Sequence, residues 1–445
     1  MNATVCQPEI RNQILLRLAA ARSLTDELFR IVRAEALYDR PIPERHRIVF
    51  YIGHLEAFDW NLIAAQAPGL RPAHKEFDRL FAFGIDPVGG DLPDDQPSDW
   101  PRLAEISAYN LHIREAIDNL LKSDSQPSAS DWPYPQELIL NVAIEHRLMH
   151  AETLAYMLHQ LTPEQKIAPR NYRSLTSLPT RPTPSRMIEI PPGAATLGTR
   201  REGESFGWDN EFEEHSVDVP AFAISSHNIT NREFLNFVNL GGYDDQRFWS
   251  AADWAWIKER KIGHPHLWFK RNDQWSYRAM FEELPLPLDW PVYLSHAEAA
   301  AYARFAGASL PTEAEFHRAA YGTPHVIERL YPWGDAPPDS SRGNFDFQRW
   351  DPIAVGSYPG GRSAFGLDDM LGNGWEWTST PFAPLPGFEP FPFYRGYSEN
   401  FFDQNHFVVK GASPRTASCL LRRSFRNWFQ PHYPFVYATF RCVNH

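Results

Sequence analysis

The chain has 445 residues and a formal net charge of −12, and its 43 Lys and Arg residues are dispersed along the sequence. This balance argues against nucleic acid or an anionic membrane surface as a partner. The sequence has no apolar run of the roughly 18 residues that a transmembrane helix needs, no signal-peptide pattern in MNATVCQPEIRNQ, and only 3 Cys, too few for a disulfide framework. We therefore expect a soluble cytoplasmic protein.

Residues 1–165 are predicted to form a four-helix bundle. Apolar residues recur with a helical period in four segments, which span residues 10–36, 47–65, 101–122 and 135–160. Loops rich in Pro and Asp, such as GGDLPDDQPSDWP, separate these segments. Four helices of this length can bury their apolar faces against one another.

The last of these helices carries His146 and His150 in EHRLMHAETL. At about 100° per residue the two imidazoles lie about 40° apart, on the same stripe as Leu138 and Val142, so we expect both to be buried. Glu152 lies far around the helix from both, so this segment alone does not supply three ligands.

A third ligand has to come from another helix. The second helix offers His54 in FYIGHLEAFDW, where Gly53 permits close approach. Burying several imidazoles without a metal is costly. Three imidazoles would suit Fe(II), Zn(II), Mn(II) or Ni(II). From spacing alone, a metal site and a pair of hydrogen-bonded core histidines remain open.

The second half of the chain has a different texture. Residues 166–186 are rich in Pro, Arg, Ser and Thr and are predicted to form an extended linker. From residue 187 to 445 the sequence has short runs, frequent Gly and Pro, and many Trp. Three amphipathic helices are predicted there, at 230–239, 295–305 and 312–321, each with a capping box at its start.

Four motifs in this half resemble the formylglycine-generating-enzyme (sulfatase-modifying-factor) domain: LPTEAEFHRAA, YPWGD, GNGWEWTST and the closing TFRCVNH. The resemblance implies a C-type-lectin-like fold for residues 187–445 and an α+β protein as a whole. That family's own reaction uses two neighbouring cysteines. Here KGASPRTASC contains Cys419 alone, so we do not expect formylglycine formation.

A DinB-like bundle fused to such a domain resembles the ergothioneine-synthase (EgtB-like) family of non-haem iron enzymes. The resemblance implies Fe(II) held by His54, His146 and His150. It implies hercynine, O₂ and a thiol as substrates, joined through a C–S bond at the imidazole carbon as a sulfoxide. It also implies a tyrosine that donates a proton or hydrogen bond, for which Tyr394 and Tyr397 in PFYRGYSENFF are the candidates.

One motif departs from the family. In SFRNWFQPHYP, Asn427 and Trp428 are retained and are expected near hercynine, but Phe429 stands where relatives that use γ-glutamylcysteine have an acid. The segment PERHRIVFYIGHLEAFDWN resembles the selenoneine-synthase (SenA) branch, whose donor is a selenosugar. We therefore expect a selenosugar donor, with γ-glutamylcysteine or cysteine as the sulfur alternative.

Two other classes of function remain open. One is a zinc-dependent thiol transferase of the DinB type, which needs no O₂. The other is a non-catalytic protein that captures a ligand with its lectin-like domain, although pure binding does not require three buried imidazoles. If the iron enzyme is correct, we expect residues 187–445 to complete the active site in a cleft between the domains.

Overall fold

The computed structural model describes residues 8–66, 72–82, 94–122, 133–175, 184–202, 206–325 and 327–445. The chain divides into two compact units, Met1–Tyr172 and Arg173–His445. The first contains helices and the second combines helices with short strands, which confirms the α+β class. Part of the predicted linker, residues 176–183, and the predicted loop residues 83–93 and 123–132 lie outside the described residues.

The first unit contains the four predicted long helices: α1 (Pro8–Arg30), α2 (Ile48–Ala64), α4 (Leu103–Lys122) and α5 (Gln136–His159), with a short α3 (Lys75–Leu80) before α4. α5 packs against α1 and α2, and α2 packs against α4. Both α2 and α5 are buried on nearly every side. A helix that is buried all round holds its polar side chains only where they find partners.

The first helix ends earlier than predicted. Its apolar period continues to residue 36, but α1 stops at Arg30. Beyond it, Arg33 donates its backbone N–H to the Gln165 carbonyl at 2.9 Å, and the Ile31 carbonyl accepts from Ile167 at 2.7 Å. These backbone groups are used in pairing with the segment after α5, so they are not available for helical bonds.

In the part of the second unit that the structure describes, the strands form four small sheets. Their strand orders are β1-β4-β12, β2-β3, β5-β6-β7 and β10-β9-β8-β11. The strands are β1 (Met187–Ile190), β2 (Gly193–Leu197), β3 (His215–Val219), β4 (Phe222–Ser225), β5 (Trp268–Arg271), β6 (Gln274–Arg278), β7 (Glu283–Pro285), β8 (Gly374–Pro381), β9 (Phe407–Ala412), β10 (Asn427–Phe429), β11 (Ala438–Thr439) and β12 (Val443–Asn444).

The three predicted helices of this unit are present, as α6 (Asn231–Asn239), α8 (His296–Phe305) and α9 (Glu313–Tyr321). Their predicted capping boxes form, with Thr230, Ser295 and Thr312 as the caps. A further helix, α7 (Ala251–Glu259), was not predicted. Its only buried residue is Ile257, so the sequence lacks the apolar stripe by which helices are recognised.

A buried ion pair connects the four-stranded sheet to the last strands of the chain. Arg441 donates from Nε and Nη2 to the Glu376 carboxylate at 2.8 and 2.9 Å, and both side chains are inaccessible to solvent. Two backbone carbonyls, of Ser225 and Asp368, accept from the same guanidinium at 3.2 and 2.6 Å. These bonds fix β8 of the four-stranded sheet to the segment between β11 and β12. At the edge of the same sheet, β10 pairs with β9.

Within the described residues, every helix is too short or too polar to cross a lipid bilayer.

Candidate metal centre

The three predicted histidines come together in the first unit. His54 lies on α2, and His146 and His150 lie on α5. One ring nitrogen of each lies within 4.8 Å of the other two, and the side chains are 2–3% exposed. Among the described residues, no other group of three His, Cys, Asp or Glu converges in this way, and neither Glu145 nor Glu152 belongs to this one.

The orientation of His54 is set by a backbone carbonyl. Its Nδ1 lies 2.7 Å from the carbonyl oxygen of Phe81, just beyond α3. Because a carbonyl only accepts, Nδ1 carries the proton and Nε2 presents its lone pair. Metal-binding histidines are usually held in this way by a second hydrogen bond. Gly53 lets the Phe81 segment approach, since a Cβ there would lie 2.6 Å from the Phe81 ring.

Burial keeps the three imidazoles neutral. It is the main cause that lowers the pKa of His54 to about 4. Burial and the neighbouring imidazoles lower the pKa values of His146 and His150 well below the ordinary 6.5, and the positive charge of Arg147 acts in the same direction. Neutral imidazoles are the form that binds metals.

The geometry fits a metal ion. The Nε2 atoms of His146 and His150 lie 3.2 Å apart. Two nitrogens bound to one ion at about 2.1 Å and a right angle would be about 3.0 Å apart. The Nε2 of His54 is buried and has no hydrogen-bond partner among the described residues. A buried acceptor without a partner is costly, and a cation would satisfy it.

Aromatic rings line the histidines. The Phe58 ring is stacked on His146 with centroids 3.4 Å apart, and the Phe50 ring is stacked on His54 at 4.8 Å. Tyr51 lies 5.7 Å from His150, centroid to centroid. The three imidazoles are therefore packed against aromatic side chains as well as against one another.

The candidate substrate-binding residues form β10 in the second unit. Asn427, Trp428 and Phe429 are each half-buried and pair with Val409, Val408 and Phe407 of β9. Because successive strand residues point to opposite faces, Asn427 and Phe429 share one face of the sheet and Trp428 lies on the other. Contact of these residues with a substrate stays a prediction.

Trp428 stands in an aromatic group. One face of its indole stacks on Phe382 at 4.0 Å with an angle of 7° between the planes. Tyr397 meets it edge-on at 5.4 Å and Phe401 lies at 5.6 Å. Tyr397 itself is stacked on the buried Trp208 at 4.0 Å. The structure thus brings one candidate tyrosine against a candidate substrate residue.

Tyr394 is placed differently. It lies 5.7 Å from Tyr397 and 6.4 Å from Trp208, ring to ring. The short segment that carries both tyrosines is held by Ser398, whose hydroxyl donates to buried Asp209. Burial raises the pKa of Asp209 to about 6. The sequence does not mark Trp208 and Asp209 as functional residues, because a lone WD pair in a loop carries no periodic signal.

Comparison with known proteins identifies the family. Residues 173–445 match the sulfatase-modifying factor enzyme 1-like domain. A protein of Mycolicibacterium thermoresistibile named hercynine oxygenase is 37% identical over 357 residues, covering 76% of this chain and 74% of that protein. The chain belongs to the ergothioneine-synthase (EgtB-like) family.

A further relative agrees with the membership in this EgtB-like family. The ergothioneine biosynthesis protein 1 of Neurospora crassa is 28% identical over 92% of this chain, which spans 55% of that longer protein. Among solved structures, PvdO from Pseudomonas aeruginosa shows a weak likeness, with 19% identity and a TM-score of 0.37, covering 58% of this chain and 93% of its own.

The EgtB-like chain also matches formylglycine-generating enzymes, such as that of Mycobacterium tuberculosis at 30% identity over 46% of this chain. Within the described residues Cys442 is buried, Cys419 is half-buried, and the two form no disulfide. Cys6 lies outside the described residues.

The close approach at Gly53 gives a first prediction. Ala would ordinarily stabilise a helix interior by about 1 kcal/mol relative to Gly, but here its methyl group meets the buried Phe81 ring. We expect Gly53→Ala to destabilise the first unit by about 1–3 kcal/mol, the usual cost of overpacking, measured by chemical unfolding of the purified chain.

The double variant Gly53→Ala, Phe81→Leu provides the control, because the smaller side chain makes room for the methyl group. It should be no less stable than Phe81→Leu alone. If Gly53→Ala is as stable as the wild type, Phe81 does not restrict residue 53.

Proposed function

We propose that this chain is a non-haem iron(II), O₂-dependent enzyme that forms a C–Se or C–S bond between hercynine and a chalcogen donor, with a selenosugar as the donor. The convergence of His54, His146 and His150 is the observation that carries the proposal. The relative named hercynine oxygenase supports both hercynine and oxygen chemistry.

The overall reaction balances with O₂ as the oxidant. The C–H bond of the hercynine imidazole and the chalcogen–H bond of the donor are lost, and a carbon–chalcogen bond forms. In the oxide form of the product, one oxygen atom ends on the chalcogen and the other leaves in water with the two hydrogens.

The histidines would hold Fe(II) through their Nε2 atoms. When bound, the ion would bring the substrates and O₂ together and pass electrons from the substrates to O₂. A ligand set of three neutral imidazoles leaves other positions for reactants. The aromatic walls around the histidines would keep bulk water from these positions.

Residues of β10 would bind hercynine and the donor. The Asn427 Oδ1 accepts from the Trp428 backbone N–H at 2.9 Å, so its Nδ2 is the group that would donate to a substrate. Phe382 stacks on the Trp428 indole, and an aromatic group of this kind would attract the trimethylammonium group of hercynine through a cation–π contact. Turnover would therefore require both units of the chain.

Tyr397 is the better candidate for the proton or hydrogen-bond donor. Its ring is stacked on the buried Trp208 and also contacts Trp428. Tyr394 lies one ring further from Trp428.

Phe429 argues for an uncharged donor. Its ring lies parallel to that of Tyr433 at 5.9 Å and edge-on to Trp377 at 6.4 Å. An aromatic wall suits the apolar face of a sugar ring. It offers no carboxylate to the ammonium group of γ-glutamylcysteine, a charge-assisted hydrogen bond worth roughly 1.5–3 kcal/mol.

The metal assignment is tested by removing each ligand. His54→Ala, His146→Ala and His150→Ala should each abolish stoichiometric iron binding and activity while far-UV circular dichroism stays near that of the wild type. Metal analysis after reconstitution with Fe(II) measures this. His112→Ala is the control, because His112 is exposed on α4.

Full iron occupancy in a single-histidine variant would show that the assignment is wrong. Turnover that persists without O₂, with zinc in place of iron, would instead support the thiol-transferase class.

The tyrosine assignment is tested by two matched variants. Tyr397→Phe should lower kcat at least about tenfold, with little change in KM for hercynine, because positioned proton donors typically contribute 10²–10⁴ in rate. Tyr394→Phe should stay within a few-fold of the wild type. The opposite ranking would assign the role to Tyr394.

The donor assignment is tested by kcat/KM with hercynine, O₂ and each donor in turn. We expect γ-glutamylcysteine to be used at least about tenfold less efficiently than the selenosugar, since 1.4 kcal/mol is a factor of ten. Phe429→Asp should move preference toward γ-glutamylcysteine, whereas Phe429→Leu should not. A wild-type preference for γ-glutamylcysteine or cysteine would refute the selenosugar donor and leave the iron site untouched.

A further inference from the structure

A group of buried charges lies within the first unit. The guanidinium of Arg147 donates to both oxygens of Glu56 at 3.0 and 2.9 Å, and to Asp59 Oδ2 at 2.6 Å. It also donates to the Leu55 carbonyl at 2.9 Å and to the Thr25 hydroxyl at 3.4 Å. The side chains of Arg147, Glu56 and Asp59, here called the arginine cluster, are at most 1% exposed.

The arginine cluster connects the long helices. Arg147 belongs to α5, and Glu56 and Asp59 belong to α2. Glu56 also accepts from Arg114 of α4 at 2.9 and 2.7 Å. Arg114 in turn holds Asp26 of α1 through two bonds of 2.8 Å. Each helix of the bundle therefore contributes to one connected set of charges.

The arginine cluster and the histidines share the same two helices. Arg147 directly follows His146, and Glu56 lies two residues after His54. At 100° per residue, Glu56 and Asp59 lie roughly 140–200° around α2 from His54. Two separate contacts therefore join α2 and α5: Arg147 reaches Glu56 and Asp59 on one side of α2, and the imidazoles of α5 meet His54 on another.

Stability alone does not account for such a group. Apolar side chains of similar volume often replace a buried ion pair without loss of stability, because desolvation offsets the attraction. What an ion pair adds is geometry. The planar guanidinium fixes directions to several acceptors at once, which a lysine cannot do. A metal site needs its ligands held within about 0.5 Å.

We infer that the arginine cluster sets the spacing and register of α2 against α5, so that the three imidazoles are already arranged for a metal ion before it binds. This inference rests on the proposed function, because it assumes that the histidines bind a metal. Arg147 is then a positioning residue. It lies next to a ligand but acts through the helix contact.

The test compares metal affinity in apo protein. Arg147→Lys keeps the charge and loses the multiple bonds. We expect its dissociation constant for Co(II), a coloured substitute for Fe(II), to rise at least about tenfold. The visible absorption of bound Co(II) should change, because the ligand arrangement is altered. Thermal unfolding of the apo protein and far-UV circular dichroism show whether the variant is folded at the temperature of the titration.

Arg441→Lys is the matched control. Arg441 is equally buried and also donates to both oxygens of a buried carboxylate, that of Glu376, but it lies in the second unit. The same substitution there should leave the Co(II) affinity and absorption as in the wild type. A gentler variant, Asp59→Asn, removes only the 2.6 Å charged contact and should weaken binding by a smaller factor.

The outcomes separate the two proposals. A wild-type chain that binds neither Fe(II) nor Co(II) would refute the metal site itself. Folded Arg147→Lys and Asp59→Asn proteins with wild-type affinity and absorption would refute the positioning role alone. Lower thermal stability with unchanged affinity would show that the arginine cluster serves only the fold. If Arg147→Lys does not fold, Asp59→Asn decides.

Discussion

The burial of three imidazoles against one another is the constraint on which the first unit depends. Removed from water, His54, His146 and His150 remain neutral, and their converging nitrogens would be costly unless another group satisfied them. Three kinds of contact support the buried imidazoles. The Phe81 carbonyl orients one ring, Phe58 supports another, and buried charges hold the two helices that carry them.

The second unit meets a different requirement. It has short strands, and its candidate site depends on stacked rings rather than on regular secondary structure. Tyr397 stacks on Trp208 and Trp428 stacks on Phe382, in both cases with ring centroids 4.0 Å apart. Large flat side chains with few rotatable bonds hold their positions at low entropic cost. This explains how a domain with so little regular structure can still present fixed groups to a ligand.

The sequence allowed the histidine group to be predicted because its signals are local. Two histidines lie four residues apart on an apolar helix, and a third lies beside a glycine. In each case the neighbouring residues predict that the imidazole is buried. The arginine cluster was not predicted because Arg147, Glu56 and Asp59 each resemble surface residues until their partners are known. Likewise, α1 ends early because of hydrogen bonds to residues 165–167, and helical periodicity carries no information about such a distant partner. Trp208 and Tyr397 are 189 positions apart in the chain, which no local pattern can connect.

The hydrogen bond from His54 to Phe81 has a consequence for how this family can vary. Its acceptor is a main-chain carbonyl, so every amino acid at position 81 supplies it and no point substitution there deletes it. Evolution can therefore exchange the ring for another side chain while the orientation of the histidine is inherited unchanged. The hydrogen bond is instead sensitive to changes in the length of the chain before residue 81. An insertion or deletion within α3 would move the carbonyl itself and leave a ligand without its support.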